Sequence, residues 1–327
     1  MSKAQNKQFD FIGKRFVFLG IAGAVILIGI VFNIIFGTQL HISFKGGTIF
    51  TYSYEGEIST AEVQAVVQEV LEKDVTVALS SDLTGNSKQI TVSLADKETI
   101  STEAQTELND AMVERFADNQ VQSLQSNSVK ASVGSGFFIK CLFAVVLGAI
   151  VVTIYVGIRF RKIGGLSAGV FATLALLHDV LIAYFVYVVF RIPLDSNFIA
   201  VILTLVGYSL NGTIVIYDRI RENERLYGRT LGINEIVNMS VNQTARRNLI
   251  TTLSTFCAVV TLCVVAAVSG LESILSFAFP MSVGVIAGCY SSVLLSSPMW
   301  ALWREKKAER AAKKKAAAKR ASKKKKY

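Results

Sequence analysis

Chemically active side chains are scarce in this 327-residue chain, which has only two histidines and four cysteines. His41 has no Cys or His at ligand spacing, so the sequence offers no metal centre. Cys141, Cys257, Cys263 and Cys289 all fall inside apolar runs and read as small buried hydrophobes, implying neither a disulfide frame nor a metal site. No nucleophile stands at a spacing that pairs it with a base, and no glycine-rich loop opens a helix onto a phosphate. The sequence therefore predicts no catalytic residue, no cofactor and no enzyme activity. Proline is equally rare: three residues, all near the ends of apolar runs or inside the last one, leave long helices free to form.

Apolar residues are what the chain has in abundance. They make up 52% of it and are gathered in blocks, which excludes an ordinary soluble domain. A helix needs about 20 apolar residues to cross a hydrocarbon core of about 30 Å. Six segments qualify: 16–36, 137–158, 164–190, 197–217, 248–268 and 273–297. Lys3, Lys7, Lys14 and Arg15 precede the first without a small-residue cleavage site after it, so it reads as a retained anchor with a cytoplasmic N-terminus. The positive-inside rule agrees, because Arg159, Arg161 and Lys162 join spans two and three, while Arg219, Arg221, Arg225 and Arg229 follow span four. Six crossings return the C-terminus to the cytoplasm, where residues 304–326 carry thirteen Lys or Arg against two Glu. That tail reads as a solvated, partly disordered topology anchor, with attraction to anionic lipid or ribosomal RNA as the lesser reading.

The stretch from 37 to 135 holds fourteen Asp or Glu against six Lys or Arg and is long enough to be exported whatever its charge. It has the marks of a folded domain. TIFTYSY signals a strand; ISTAEVQAVVQEVLEK follows with Ser59 and Glu62 at capping-box spacing and an apolar stripe of Val63, Val66, Val67, Val70 and Leu71. VTVALS and QITVSLA alternate as strands around the turn-rich LTGNSK. A second helix from about Thr99 to Asp118 aligns Leu108, Met112 and Phe116, and a weaker strand runs near Val121 to Val129. Strand, helix, strand, strand, helix, strand is the order of a ferredoxin-like α+β unit. The glycine pair of FKGG, Phe44 to Gly47, predicts a tight bend where the chain leaves the membrane.

Polar groups at membrane depth are the candidate functional residues. Asp179 lies mid-span beside His178, and a carboxylate there costs about 2.5 to 3.5 kcal/mol on insertion scales, so it must face protein or water. It reads either as a structural partner to a neighbouring helix or as part of an ion pathway. Adjacent helical residues point about 100° apart, so His178 and Asp179 need not serve each other. Asn211 and Gly212 interrupt span four, where an amide can bridge helices and a glycine admits a close neighbour. Asp218, Arg219, Arg221 and Glu222 mark the cytoplasmic boundary, with Asp218–Arg221 and Arg219–Glu222 pairs available three residues apart. Arg246 and Arg247 open span five; an arginine there can anchor at the interface or stabilise an ionised carboxylate.

These residues carry a resemblance. LLHDVLIAYFVYVVF (Leu176 to Phe190), LTLVGYSLNGTIVIYDRIREN (Leu203 to Asn223) and NQTARRNLITTLST (Asn242 to Thr255) resemble the SecF family, Sec protein-export accessory subunits within the resistance-nodulation-division superfamily. The resemblance covers nearly the whole chain and implies half of such a transporter: a six-helix membrane bundle with an extracytoplasmic ferredoxin-like domain. Its implied boundaries are 1–36, 37–135, 136–300 and a basic tail at 301–327. It further implies work with SecD and the SecYEG translocon on unfolded preproteins in a bacterial cell membrane, using the proton or sodium gradient. No specific nucleic acid partner is implied. Arg247 matches the family arginine of its Q-T-x-x-R motif, but Gly212 stands where the family places a relay carboxylate after the amide. His41 and Ser43 likewise replace the Gly and Asp of its G-I-D-F-x-G-G. Two other readings stay open: a scaffold for the Sec complex without its own relay, or half of a small-molecule exporter of the superfamily, which would want a larger, more apolar exported domain.

Overall fold

The computed structural model describes residues 9–73, 75–81, 88–94, 100–129 and 131–324. Among these described residues, six helical rods are long and apolar enough to cross a membrane. They are α1 (Arg15–Phe36), α5 (Ala131–Arg159), α6 (Gly165–Val189), α7 (Ser196–Tyr227), α8 (Ile233–Val268), and a continuous rod of α9 (Glu272–Tyr290), a π-helical turn (Ser291–Ser296) and α10 (Ser297–Lys324). The α6 helix and the composite rod form the centre, with 61% and 67% of their most apolar windows buried, whereas α8 has 6% and α1 11%. The apolar faces of α1, α5 and α8 are thus left for lipid or other protein. On α1, Gly29 lies so close to Phe185 of α6 that a Cβ would overlap the ring, and Tyr184 donates to Asn33 at 2.8 Å.

Between α1 and α5 lies the α+β unit: α2 (Ile42–Lys45), β1 (Gly47–Tyr54), α3 (Thr60–Leu71), β2 (Val75–Ser81), β3 (Lys88–Leu94), α4 (Thr102–Arg115) and β4 (Gln122–Val129). The strands order as β2-β3-β1-β4, every neighbour antiparallel, which is the ferredoxin-like arrangement expected from the sequence. Alternation works as predicted: Phe50, Tyr52, Ile90, Val92 and Leu94 point to one face, which Val63 and Val67 of α3 and Leu108 and Met112 of α4 cover. Ser59 caps α3 by accepting from Ala61 N at 3.3 Å, and Ser101 caps α4 through Ala104 N. Most of the expected LTGNSK turn, residues 83–87, lies outside the described residues, as does Thr99.

FKGG is a bend, but with a helical turn ahead of it. His41 caps α2, its Nδ1 accepting from Ser43 N at 3.3 Å, and Gly46 and Gly47 then take φ of 83° and 136°, values only glycine adopts without strain. Burial pushes the His41 ring below its ordinary value of 6.5, against a smaller opposing pull from Asp195. Phe44 seats the unit on the bundle by packing with Tyr187, Leu194 and Phe198.

The opposite end differs from expectation in extent. Helix α7 runs to Tyr227 and α8 starts at Ile233, so the charged connection is mostly helix and Arg246 and Arg247 lie well inside α8 rather than at its start. The reason is a second apolar core below the spans: Ile236, Val237 and Val241 of α8 bury against Ile216, Ile220, Phe160 and Trp300. The N-terminal segment joins it, with Phe9 and Phe11 backbone N–H groups donating to Asn242 and Asn238, and Arg15 3.5 Å from Glu305. Residues 9–15 and Glu305 therefore sit at one end of the bundle. The basic tail is helical through Lys324 instead of irregular, as its run of Ala, Lys and Arg favours.

Candidate functional site

Asp179 and His178 are drawn into one polar column by hydroxyl groups that the sequence alone does not single out. Asp179 on α6 is fully buried. Its Oδ2 accepts from Ser209 of α7 at 2.6 Å and from Ser291 of the π turn at 2.7 Å. Its Oδ1 lies 3.0 Å from His178 Nδ1. Helical spacing left open whether these two neighbours meet, and here they do. The His178 ring stacks on Tyr290 with centroids 5.9 Å apart, and in that position its Nδ1 reaches the next carboxylate. Three polar partners offset much of the cost of keeping a carboxyl group at this depth.

The column continues toward the basic end. Ser292 Oγ donates to the Ser209 carbonyl at 3.0 Å, Thr213 donates to Ser292 Oγ at 3.0 Å, and Tyr217 OH lies 3.0 Å from Ser296 Oγ. Ser291, Ser292, Ser296 and Ser297 are all buried. The signal for them was present: SSVLLSS places four hydroxyls among seven residues of an otherwise apolar span.

Beside this column α7 and α8 part to form a cleft of about 190 Å³. Asn211, Gly212, Arg247 and Asn248 line it together with Ser209 and Ser292, so it shares two residues with the Asp179 network. Asn248 Nδ2 donates weakly to the Gly212 carbonyl at 3.4 Å. A Cβ on Gly212 would stand 3.2 Å from Ser292 Oγ, so the glycine allows the π turn to come close. Asn211 and Arg247 are both exposed in the single chain, and among the described residues neither side chain makes a hydrogen bond or ion pair. Arg247 also borders a wider vestibule of about 1000 Å³ at the basic end.

That vestibule holds the boundary charges. Asp218 pairs with Arg221 at 2.9 Å and Arg219 with Glu222 at 2.6 Å, both as the spacing predicted. Two longer-range contacts were not legible: Arg159 at the end of α5 reaches Asp218 at 3.1 Å, and Arg219 donates to Gln243 of α8 at 2.6 Å. His41 lies in the α2 cap, apart from these groups, and no cluster of three potential metal ligands occurs among the described residues. The arrangement has the parts of a polar route: one carboxyl group, a chain of hydroxyls, and a cation beside an opening.

Known proteins share this architecture. Residues 109–306 match the family described as protein export membrane protein SecD/SecF, C-terminal. The protein translocase subunit SecF of Petrotoga mobilis is 35% identical over 308 residues, covering 92% of this chain and 99% of that protein. The translocase subunit SecDF of Bacillus subtilis is 30% identical over 306 residues, 93% of this chain but 39% of the longer relative. A crystal structure of SecDF from Thermus thermophilus, a translocon-associated membrane protein, superposes with a TM-score of 0.78 at 26% identity, over 93% of this chain and 40% of that one. With the family match over residues 109–306, these relatives and the shared fold in agreement, the chain belongs to the SecD/SecF family of protein-export membrane proteins.

Proposed function

We propose that this chain is a non-catalytic SecF-type subunit of the protein translocase, working with SecD beside the SecYEG channel to help unfolded preproteins leave the membrane. In this reading it is a multi-pass protein of the bacterial cell membrane with both termini in the cytoplasm and residues 37–135 outside. The arginine-rich connections, and the contact of Arg15 ahead of the first span with Glu305 after the last, support that orientation.

The observation that carries the partnership is the unpaired Arg247 and Asn211 on one open cleft at membrane depth. An arginine and an amide so placed cost free energy unless another chain supplies partners. Relatives named SecDF extend well beyond the part this chain matches, and the remainder is the natural source of a SecD surface. Since Gly212 cannot titrate, gradient coupling resides mainly in a SecD carboxylate facing Arg247, with Asp179 as the second candidate through the serine column. The test is gradient-stimulated export in vesicles holding this subunit and its own SecD. Neutralising the SecD carboxylate should abolish stimulation, and Arg247→Met should impair it. Stimulation that survives the first change but is lost in Asp179→Asn would move the relay into this chain, and stimulation that survives all three would favour the scaffold reading that Gly212 invites.

A further inference from the structure

A second concave surface lies away from the polar column, where the end of α5, the start of α6 and the side of α10 enclose a groove of about 1060 Å³. Its two halves differ in character. One wall is apolar: Ile154 and Ile158 of α5, Leu166 and Val170 of α6, and Trp303 of α10 are all exposed there, Leu166 to 77%. The other end is basic, with Arg161 and Lys162 on the α5–α6 turn and Arg304 and Lys307 on α10. Among the described residues, no Asp or Glu lines the groove. Arg304 is already neutralised by Glu224 at 2.9 and 2.5 Å, whereas Arg161, Lys162 and Lys307 are in no salt bridge among the described residues. Lys307 rests over the Trp303 ring, 4.8 Å from its centroid, holding its charge at the mouth of the apolar half.

We infer that this groove binds one anionic phospholipid, its phosphate held by Arg161, Lys162 and Lys307 and an acyl chain laid along the α5–α6 wall. The position and the charge pattern both select a lipid. The groove straddles the level at which two apolar spans give way to basic residues, which is where a headgroup lies, and a tryptophan marks that level. A soluble anion would leave the apolar wall bare, and an apolar protein segment would leave three cations unpaired. Its rigidity comes from packing: Trp300, one turn away from Trp303, is fully buried and donates to Ser167 at 3.1 Å, fixing α10 against the start of α6. Bound lipid would tie the basic helix to the spans, so it would act on the orientation of α10 as well as on retention in the membrane.

Fluorescence reads this site, because the chain has only two tryptophans and one of them lines the groove. The full-length protein is placed in phosphatidylcholine vesicles that contain, as a minor component, either phosphatidylglycerol or phosphatidylcholine with brominated acyl chains. Brominated phosphatidylglycerol should quench at a mole fraction lower by roughly tenfold or more, given three unpaired cations. Trp303→Phe should remove the quenched signal. Replacing Arg161, Lys162 and Lys307 together by glutamine should bring the two lipids to parity, whereas the same change at Lys313, Lys314 and Lys315 should leave the preference standing. Equal quenching in the unaltered protein would overturn the inference. So would a preference that survives the groove substitutions or Trp303→Phe, one that disappears with the tail substitutions, or one erased by inorganic phosphate, which would mean the cations read a free anion.

Discussion

Replacing Gly212 by aspartate puts a titratable group back into the cleft, and the local geometry determines how well the fold accepts it. The new Cβ meets Ser292 Oγ at 3.2 Å and Ser292 Cβ at 3.3 Å, so the serine must yield by a few tenths of an ångström. Crowding of this kind costs about 1 to 3 kcal/mol, and removing a helical glycine returns a few tenths. The balance is small against a typical stability of about 5 to 15 kcal/mol, so the fold persists. The cleft of about 190 Å³ accepts the carboxylate with Arg247 on its rim. Each charge moved through 100 mV is worth about 2.3 kcal/mol, which at 1.36 kcal/mol per decade is roughly a fiftyfold bias on a two-state change. In vesicles with the cognate SecD, Gly212→Asp should raise gradient-stimulated export and give it a new pH dependence. Gly212→Ser, with the same Cβ and no ionisable group, should behave as the parent. An unchanged gradient and pH response in Gly212→Asp, or a gain that persists when Arg247→Met is added, refutes the reasoning.

Other parts of the molecule lead to further expected outcomes. The lowered His41 value means the folded chain resists protonation there, so the α2 cap is fully stable above about 6.5 and loses stability as pH falls through the folded value. Amide exchange at Phe44 to Gly46, corrected for intrinsic rate, should speed up on acidification in the parent and stay level in His41→Asn, which keeps an acceptor. Trp300→Ala empties the centre of the lower core and should cost about 3 to 5 kcal/mol, read as a drop in thermal midpoint in detergent. A cysteine placed at Glu107 should react with an impermeant reagent in intact cells and one at Arg229 only after permeabilisation; the reverse pattern would invert the proposed topology.

The spans and the α+β unit were legible because both rest on periodic patterns that burial makes strict. Six apolar runs can only be helices, since a hydrocarbon core leaves backbone groups no other partner, and Phe50, Tyr52, Ile90 and Val92 alternate as a one-sided sheet requires. Helix ends were harder to read. Nothing in span length foretells that α8 extends to Ile233, because that extension is stabilised by a core assembled from distant segments around Trp300. The candidate site was half legible. Asp179, Asn211 and Arg247 stand out as costly residues, but their relation depends on hydroxyl groups that are individually cheap in a membrane and so raise no alarm. The His178–Asp179 contact escaped because spacing rules describe where Cα–Cβ bonds point, not where a ring ends up when a tyrosine from another helix stacks on it.

The six-residue π turn has a mechanical consequence. In an ordinary α-helix, at about 100° per residue, Ser291, Ser292, Ser296 and Ser297 would spread over roughly two thirds of the circumference. The wider turn gathers them on one side, inside the bundle. The wider turn is what lets one rod hold α6 through Ser291 and Asp179 and α7 through Ser292 and Thr213 at the same level.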